Sequence, residues 1–228
     1  MIFDLMQDRS AATDNRIPGV AVAVVTNIQD PNGEGRIKVK YPWRDVEDES
    51  DWLRMITFMA GNQMGGYFLP EVGDEVLVAF ENGDIDHPIV LGALWSGKMK
   101  PPESNSDGKN NLRLIKSRSG HKVILNDEDG KETIEIIDKS GKNKVVIDTA
   151  KNSITIQTDK DIELKAPQGK ISLDARELEL KSSANTKIQA GANMEIKASA
   201  NNKVEGGANM DVKAGAIMTV QGSLVKIN

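Results

Sequence analysis

No aromatic side chain follows Trp95. All three Trp, both Tyr and all four Phe lie before position 96, and the 133 residues beyond it contain none. Aromatic rings supply much of the buried area of an ordinary globular core, so more than half of this chain is built on another plan. From about Ile134 to Ile227 it carries short apolar-x-apolar steps roughly eight residues apart. That pattern describes something long, narrow and repetitive.

The steps fall at Ile134/Ile136, Val145/Ile147, Ile154/Ile156, Ile162/Leu164, Ile171/Leu173, Leu178/Leu180, Met194/Ile196, Met210/Val212, Met218/Val220 and Val225/Ile227, with Thr186/Ile188 and Asn202/Val204 filling the same phase. Residues two apart share one face of a strand, leaving Lys, Glu, Asp, Thr and Gln on the other. Small or turn-forming residues separate the steps, as in 190–193, 198–202, 206–209 and 214–216. A coiled coil needs apolar residues every 3.5 positions, which this spacing contradicts. Two inward side chains cannot bury themselves in one isolated repeat, so the repeats must stack. Either three consecutive strands of one chain form each turn of a solenoid, or three chains wind together; the periodicity allows both.

Seven of the eight prolines lie at or before Pro102, which places a domain boundary near the aromatic cut-off. Up to Pro102 there are nine Lys and Arg against sixteen Asp and Glu; beyond it there are twenty against eighteen. The net charge of −5 therefore belongs to the first half, and no concentrated basic surface suggests nucleic acid. With no cysteine there is no disulfide framework and no thiolate metal site. The first sixteen residues carry Asp4 and Asp8 and lack a basic start, so they do not read as a signal peptide, and no stretch is long enough to span a bilayer.

The first half reads as a small barrel. Val20, Val22 and Val24 alternate with alanine, and Ile37 and Val39 alternate with Arg36, Lys38 and Lys40. Around a turn at Asp30, Pro31, Asn32 and Gly33 they form a hairpin with one buried face. An acidic loop from Asp45 to Asp51 leads to a strand candidate at 52–58, and 59–70 is a Gly-rich connection. Residues 75–80 and 88–95 form a further apolar pair around a turn at 81–87. Five strands in about 80 residues without a helix suit a closed OB-type barrel. Residues 98–111 are polar with two adjacent prolines and read as a linker.

The run AGNQMGGYFLPEVGDEVLVAFENGDIDHPIVLGALW resembles the OB domain of the VgrG and gpV family, the central spikes of type VI secretion systems, contractile phage tails and related injection machines. Gly65, Gly66, Pro70, Gly73, Asp74, Glu75, Val76, Gly83, Asp84, Asp86, Pro88 and Gly92 carry the match, and read residue by residue they shape turns and strand ends. The string SRSGHKVILNDEDGKETIEI resembles the segment leading into the β-helix of such spikes. The resemblance implies an all-β chain: an N-terminal extension at 1–19, an OB-fold domain at 20–97, a linker at 98–111, collar hairpins at 112–137 and an intertwined triple-stranded β-helix at 138–228, assembled as a homotrimer.

In that arrangement the trimer core would be Ile134, Ile136, Val145, Ile147, Ile154, Ile156, Ile162, Leu164, Ile171, Leu173, Leu178, Leu180, Ile188, Met194, Ile196, Val204, Met210, Val212, Met218 and Val220. At one strand spacing per repeat, roughly twelve repeats make a shaft of about 55–60 Å. Full-length VgrG proteins carry a hub domain before the barrel, whereas nineteen residues precede Val20 here. The resemblance therefore implies a separate hub or tube-initiator protein at the N-terminal end, or a fragment of a longer spike. A fused toxin or lysozyme is not expected. Some phage relatives close the tip with a His-x-His pair holding iron, but no histidine follows His121. A blunt apex at Leu224, Val225, Ile227 and Asn228, covered by a PAAR-type tip protein, is the expectation. The particle would be made in the bacterial cytoplasm and driven into a target cell envelope on contraction.

Chemistry is sparse. The only histidines, His87 and His121, lie in turns without a nucleophile elbow. Asp127, Glu128 and Asp129 sit at a hairpin tip, and Asp159 and Asp161 at a strand corner, which suits solvated turns. The Asp30–Gly35 loop lacks the length and terminal Glu of a calcium loop. The expectation is a structural protein, not an enzyme, with no cofactor, no metal and no nucleic acid. Two alternatives are an OB binding module for nucleic acid or oligosaccharide on a trimeric fibre, and a receptor-binding tail fibre.

Overall fold

The computed structural model describes residues 17, 19–44 and 48–227. The expected N-terminal extension at 1–19, apart from Ile17 and Gly19, lies outside the described residues, as do positions 45–47 of the acidic loop and Asn228 at the expected tip. The chain divides into two units, Met1–Glu163 and Leu164–Asn228. It is all-β, with a single 3-10 turn at Glu81–Gly83 as the helical element among the described residues.

Seven strands build the barrel region: β1 (Val20–Asn27), β2 (Lys38–Lys40), β3 (Arg54–Met55), β4 (Ala60–Gly61), β5 (Met64–Gly65), β6 (Glu75–Phe80) and β7 (Pro88–Leu94). The main sheet runs β2-β1-β6-β7-β3. Its two ends meet where Ile37 and Leu53 exchange backbone hydrogen bonds of 3.1 and 2.8 Å, so the sheet closes on itself. Every neighbouring pair is antiparallel except β3 and β7, which run parallel. Closure removes the sheet edges.

Among the described residues, ten form the barrel core, including Val25, Ile37, Val39, Leu53, Val76, Val78 and Val90, all essentially solvent-free. The valine face expected to lead β1 inward points outward instead. Ala23 and Val25 are buried, whereas Val20 and Val22 are exposed. The register explains this: Ala23 sits opposite Val76 and Ala21 opposite Val78, so a small side chain faces a branched one across a tightly closed sheet. The turn between β6 and β7 uses Gly83 at φ +80°, where a side chain would be strained.

After the polar segment at 98–111 come β8 (Leu112–Lys116), β9 (Lys122–Asn126), β10 (Thr133–Ile137), β11 (Lys144–Asp148) and β12 (Ser153–Gln157). They form one antiparallel meander in sequence order, joined by tight turns. Arg118, in the β8–β9 turn, pairs at 2.9 Å with Glu71 of the barrel.

From Thr158 to Ile227 the chain forms no strand ladder, and all of its residues but Thr158 and Ala166 are exposed. Extended steps alternate with bends or turns at 159–160, 167–169, 176, 183–184, 191–192, 199–200, 207–208, 215–216 and 223–224. The corner recurs every eighth residue. Between Leu178 and Val220 the apolar pairs keep the same period without slip, and Asn185, Asn193, Asn201 and Asn209 repeat at the corners.

Candidate functional site

The meander presents two unlike faces. Its register aligns Leu125, Ile134, Ile147 and Ile154 in one row across the sheet, and Ile115, Val123, Ile136, Val145 and Ile156 in the next. Nine aliphatic side chains, interrupted by Arg113 at one end, thus share a face. Most of them lie open: Ile136 is 56% exposed and Ile154 70%. The other face mixes Lys122, Glu135, Lys144 and Asp148 with Leu114, Ile124 and Val146. A contiguous apolar face of this size on a lone chain marks an interaction site.

The predicted core residues at 134, 136, 145, 147, 154 and 156 all fall on that face. Leu112 and Leu114 lie on the opposite side, because Arg113 and Ile115 are the β8 positions opposite Leu125 and Val123. Ile162 and Leu164 through Met218 and Val220 are exposed in the second half, as are Leu224, Val225 and Ile227, the last by 90%.

The barrel carries a second apolar surface that the sequence did not signal. The Gly-rich connection folds back as the β4–β5 hairpin, with Gly65 paired to Ala60 and Met64 to Gly61. It raises Phe58, Tyr67 and Phe68 outward, Phe58 by 81%, with the Phe58 and Phe68 rings 6.2 Å apart. Beneath it lies an open groove of about 530 Å³ lined by Met55, Met59, Met64, Tyr67, Phe68 and Glu34, among others. No Lys or Arg lines this groove. Two aromatics beside paired glycines were the available clue, but without alternation they did not read as strands.

Ionisable groups are committed to turns. Asp30 accepts from the backbone N–H of Asn32 at 3.0 Å, of Glu34 at 2.9 Å and of Arg36 at 3.2 Å. It also takes both ends of the Arg36 guanidinium, at 3.0 and 2.8 Å. Arg36 holds the Asp30 carboxyl far below the usual carboxylate range, with the backbone donors adding to it. The Arg36 guanidinium thus occupies the inside of this loop. His87 Nδ1 lies 2.9 Å from Asp84 Oδ2 on an exposed turn. His121 accepts at Nδ1 from the Lys139 N–H at 3.2 Å, tying two hairpin turns together. Among the described residues no three His, Asp or Glu side chains gather as metal ligands would, and no helix is long and apolar enough to cross a membrane.

The barrel coincides with a family match. A model described as the type VI secretion system/phage-baseplate injector OB domain covers residues 21–95. The actin cross-linking toxin VgrG1 of Vibrio cholerae is 31% identical over 132 residues, 51% of this chain and 12% of its own length. The type VI secretion system spike protein VgrG2a of Pseudomonas aeruginosa is 36% identical over 114 residues, 45% and 13% of the two chains. The spike protein VgrG1b of the same organism is 28% identical over 158 residues, 63% and 20%. The chain spans about a tenth to a fifth of the length of these relatives. It carries the injector OB domain of the VgrG and gpV spike family and is related to type VI secretion spike proteins.

Proposed function

We propose that this relative of the VgrG and gpV spikes is the central spike at the inner-tube tip of a contractile injection apparatus. Three copies wind the segment beyond the barrel into a triple-stranded β-helix, whose interior is the ladder from Ile134 to Val220. The observation that carries this reading is the pairing of an exposed apolar face on β8–β12 with an exposed apolar repeat after it. Burying one Ile or Leu contributes roughly 1.5–3 kcal/mol, so leaving so many in water is tolerable only if a partner covers them. Copies of the same chain supply identical ladders at matching spacing, which an unrelated partner would not.

In this reading the barrel is seated on the hub or tube-initiator protein. Leu224, Val225 and Ile227 form the last apolar layer, which a PAAR-type tip protein caps. The role is mechanical: a narrow shaft with every strand paired resists bending and dissociation while it pierces a target envelope. An OB binding module is the second reading, favoured by the aromatic groove beneath β4–β5. Its lining carries Glu34 and no cation, which sets it against polyanions such as nucleic acid.

The test is assembly of contractile particles in a strain lacking this chain. The wild-type chain should restore intact, sheathed particles, and Ile136→Asp, which puts a charge in the proposed interior, should not. Restoration by Ile136→Asp would refute the spike role.

A further inference from the structure

The β8–β12 meander sorts its charges by end, which the nearly balanced total beyond Pro102 conceals. The strand ends and turns at 116–122 and 137–144 carry Lys116, Arg118, Lys122, Lys139, Lys142 and Lys144. Against them stands Asp138, whose carboxylate is taken up by Ser140 and Asn143. The opposite end, at 126–133 and 148–153, is acidic, and its cations Lys131 and Lys151, like Arg113 beside them, each have a carboxylate partner.

The basic end is paired less completely. Arg118 reaches Glu71 at 2.9 Å and Lys142 reaches Asp159 at 2.6 Å. Among the described residues, Lys116, Lys122, Lys139 and Lys144 have no carboxylate partner. The register sets Lys116 directly opposite Lys122 and places Ile137 between Lys122 and Lys144 in the same row. Like charges directly opposite one another destabilise a sheet, and no described carboxylate offsets this pair. The next row, Leu114, Ile124, Glu135, Val146 and Thr155, is largely aliphatic. Three lysines thus border an aliphatic strip. Both rows lie on the face opposite the one assigned to self-association, which that association would not cover.

We propose that this face docks an acidic protein surface: a separate partner lays carboxylates on Lys116, Lys122 and Lys144 and aliphatic side chains on the strip beside them. The chemistry favours carboxylates over a phosphate polymer or a lipid headgroup layer. Where cations of this end have partners, those partners are carboxylates. The one guanidinium, the group whose planar fork suits phosphate, is already held by Glu71, which leaves ammonium groups. The aliphatic strip has no counterpart in a phosphate layer and matches the apolar centre of a protein interface. The surface is complete within one chain and does not depend on how many copies assemble.

The test is fluorescence anisotropy of a labelled oligoglutamate peptide titrated with the full chain at low salt. Replacing the three lysines together, Lys116→Gln, Lys122→Gln and Lys144→Gln, should weaken binding about tenfold. Removing three lysines from the repeat instead, Lys187→Gln, Lys197→Gln and Lys203→Gln, should leave it unchanged. Lys122→Glu turns the repulsive pair with Lys116 into an attractive one, so it should weaken binding while the melting temperature falls no lower than that of the wild type. A purely structural lysine would not give that combination. The assignment would be overturned by a wild type that does not bind, by equal binding of the first variant, or by equal loss in the repeat variant. It would also be overturned by a DNA oligonucleotide or phosphatidylglycerol vesicle that binds more tightly than the peptide and is lost to the same substitutions. The first variant should keep the wild-type mass in light scattering, which separates this result from the test of assembly; a changed mass would put these lysines in the self-association interface and overturn the docking surface.

Discussion

Asp30 gathers five N–H donors, three from the backbone and two from Arg36. All of them favour its charged form. Asp138 is held low by the Ser140 hydroxyl and Asn143, and Asp148 by the Lys151 ammonium and backbone. A carboxylate whose folded pKa is depressed contributes stability that is present above its unfolded value and lost as pH falls below about 4. The melting temperature of this chain should therefore drop as pH is lowered from about 5 to 2. Asp30→Asn should melt lower at neutral pH and show a shallower acid dependence by calorimetry; an unchanged acid profile would show that the turn does not matter. At the barrel seam, Leu53 is fully buried and its backbone closes the sheet against Ile37. Leu53→Ala should cost about 2–5 kcal/mol in denaturant titration of the barrel, the range for deleting a buried leucine side chain.

At the scale of elements, the β8–β12 sheet makes the sharpest claim. Ile136 stands in the middle of the apolar face, exposed in the single chain. Ile136→Asp should leave the circular dichroism of the lone chain intact while abolishing association, because its cost arises only when the face is covered; a variant that still associates would place the interface elsewhere. Much of this sheet was legible beforehand, since alternation at 123/125, 134/136 and 145/147 depends only on neighbours in sequence. What was not legible depended on pairing partners. Nothing local announces that β11 and β12 extend the same antiparallel meander, that Ile115 rather than Leu114 joins the apolar face, or that β3 lies parallel to β7. The inward choice of Ala23 over Val22 was hidden for a related reason. Hydrophobicity marks both faces of β1, and only the curvature of a closed barrel selects the smaller. The β4–β5 hairpin escaped notice because its glycines obey turn chemistry and not strand alternation.

For the whole molecule, the two halves bury their apolar residues by different means. The barrel closes its own sheet around ten buried side chains. The repeat beyond Glu163 buries none of its apolar residues within one chain. If copies of the chain cover that repeat as proposed, the stability of the repeat should depend on concentration until the assembly is complete. The absence of rings after Trp95 fits this economy, because an interior two aliphatic side chains wide per strand has no room for an indole. The injector OB domain relates the chain to spike proteins, and the exposed ladder is the surface that the proposed assembly would cover. The measurement that bears most directly on this is the solution mass of the purified chain by light scattering. Three chains of 24.8 kDa should appear as a single species of about 74 kDa that persists on dilution, whereas a stable species of 24.8 kDa would contradict the account.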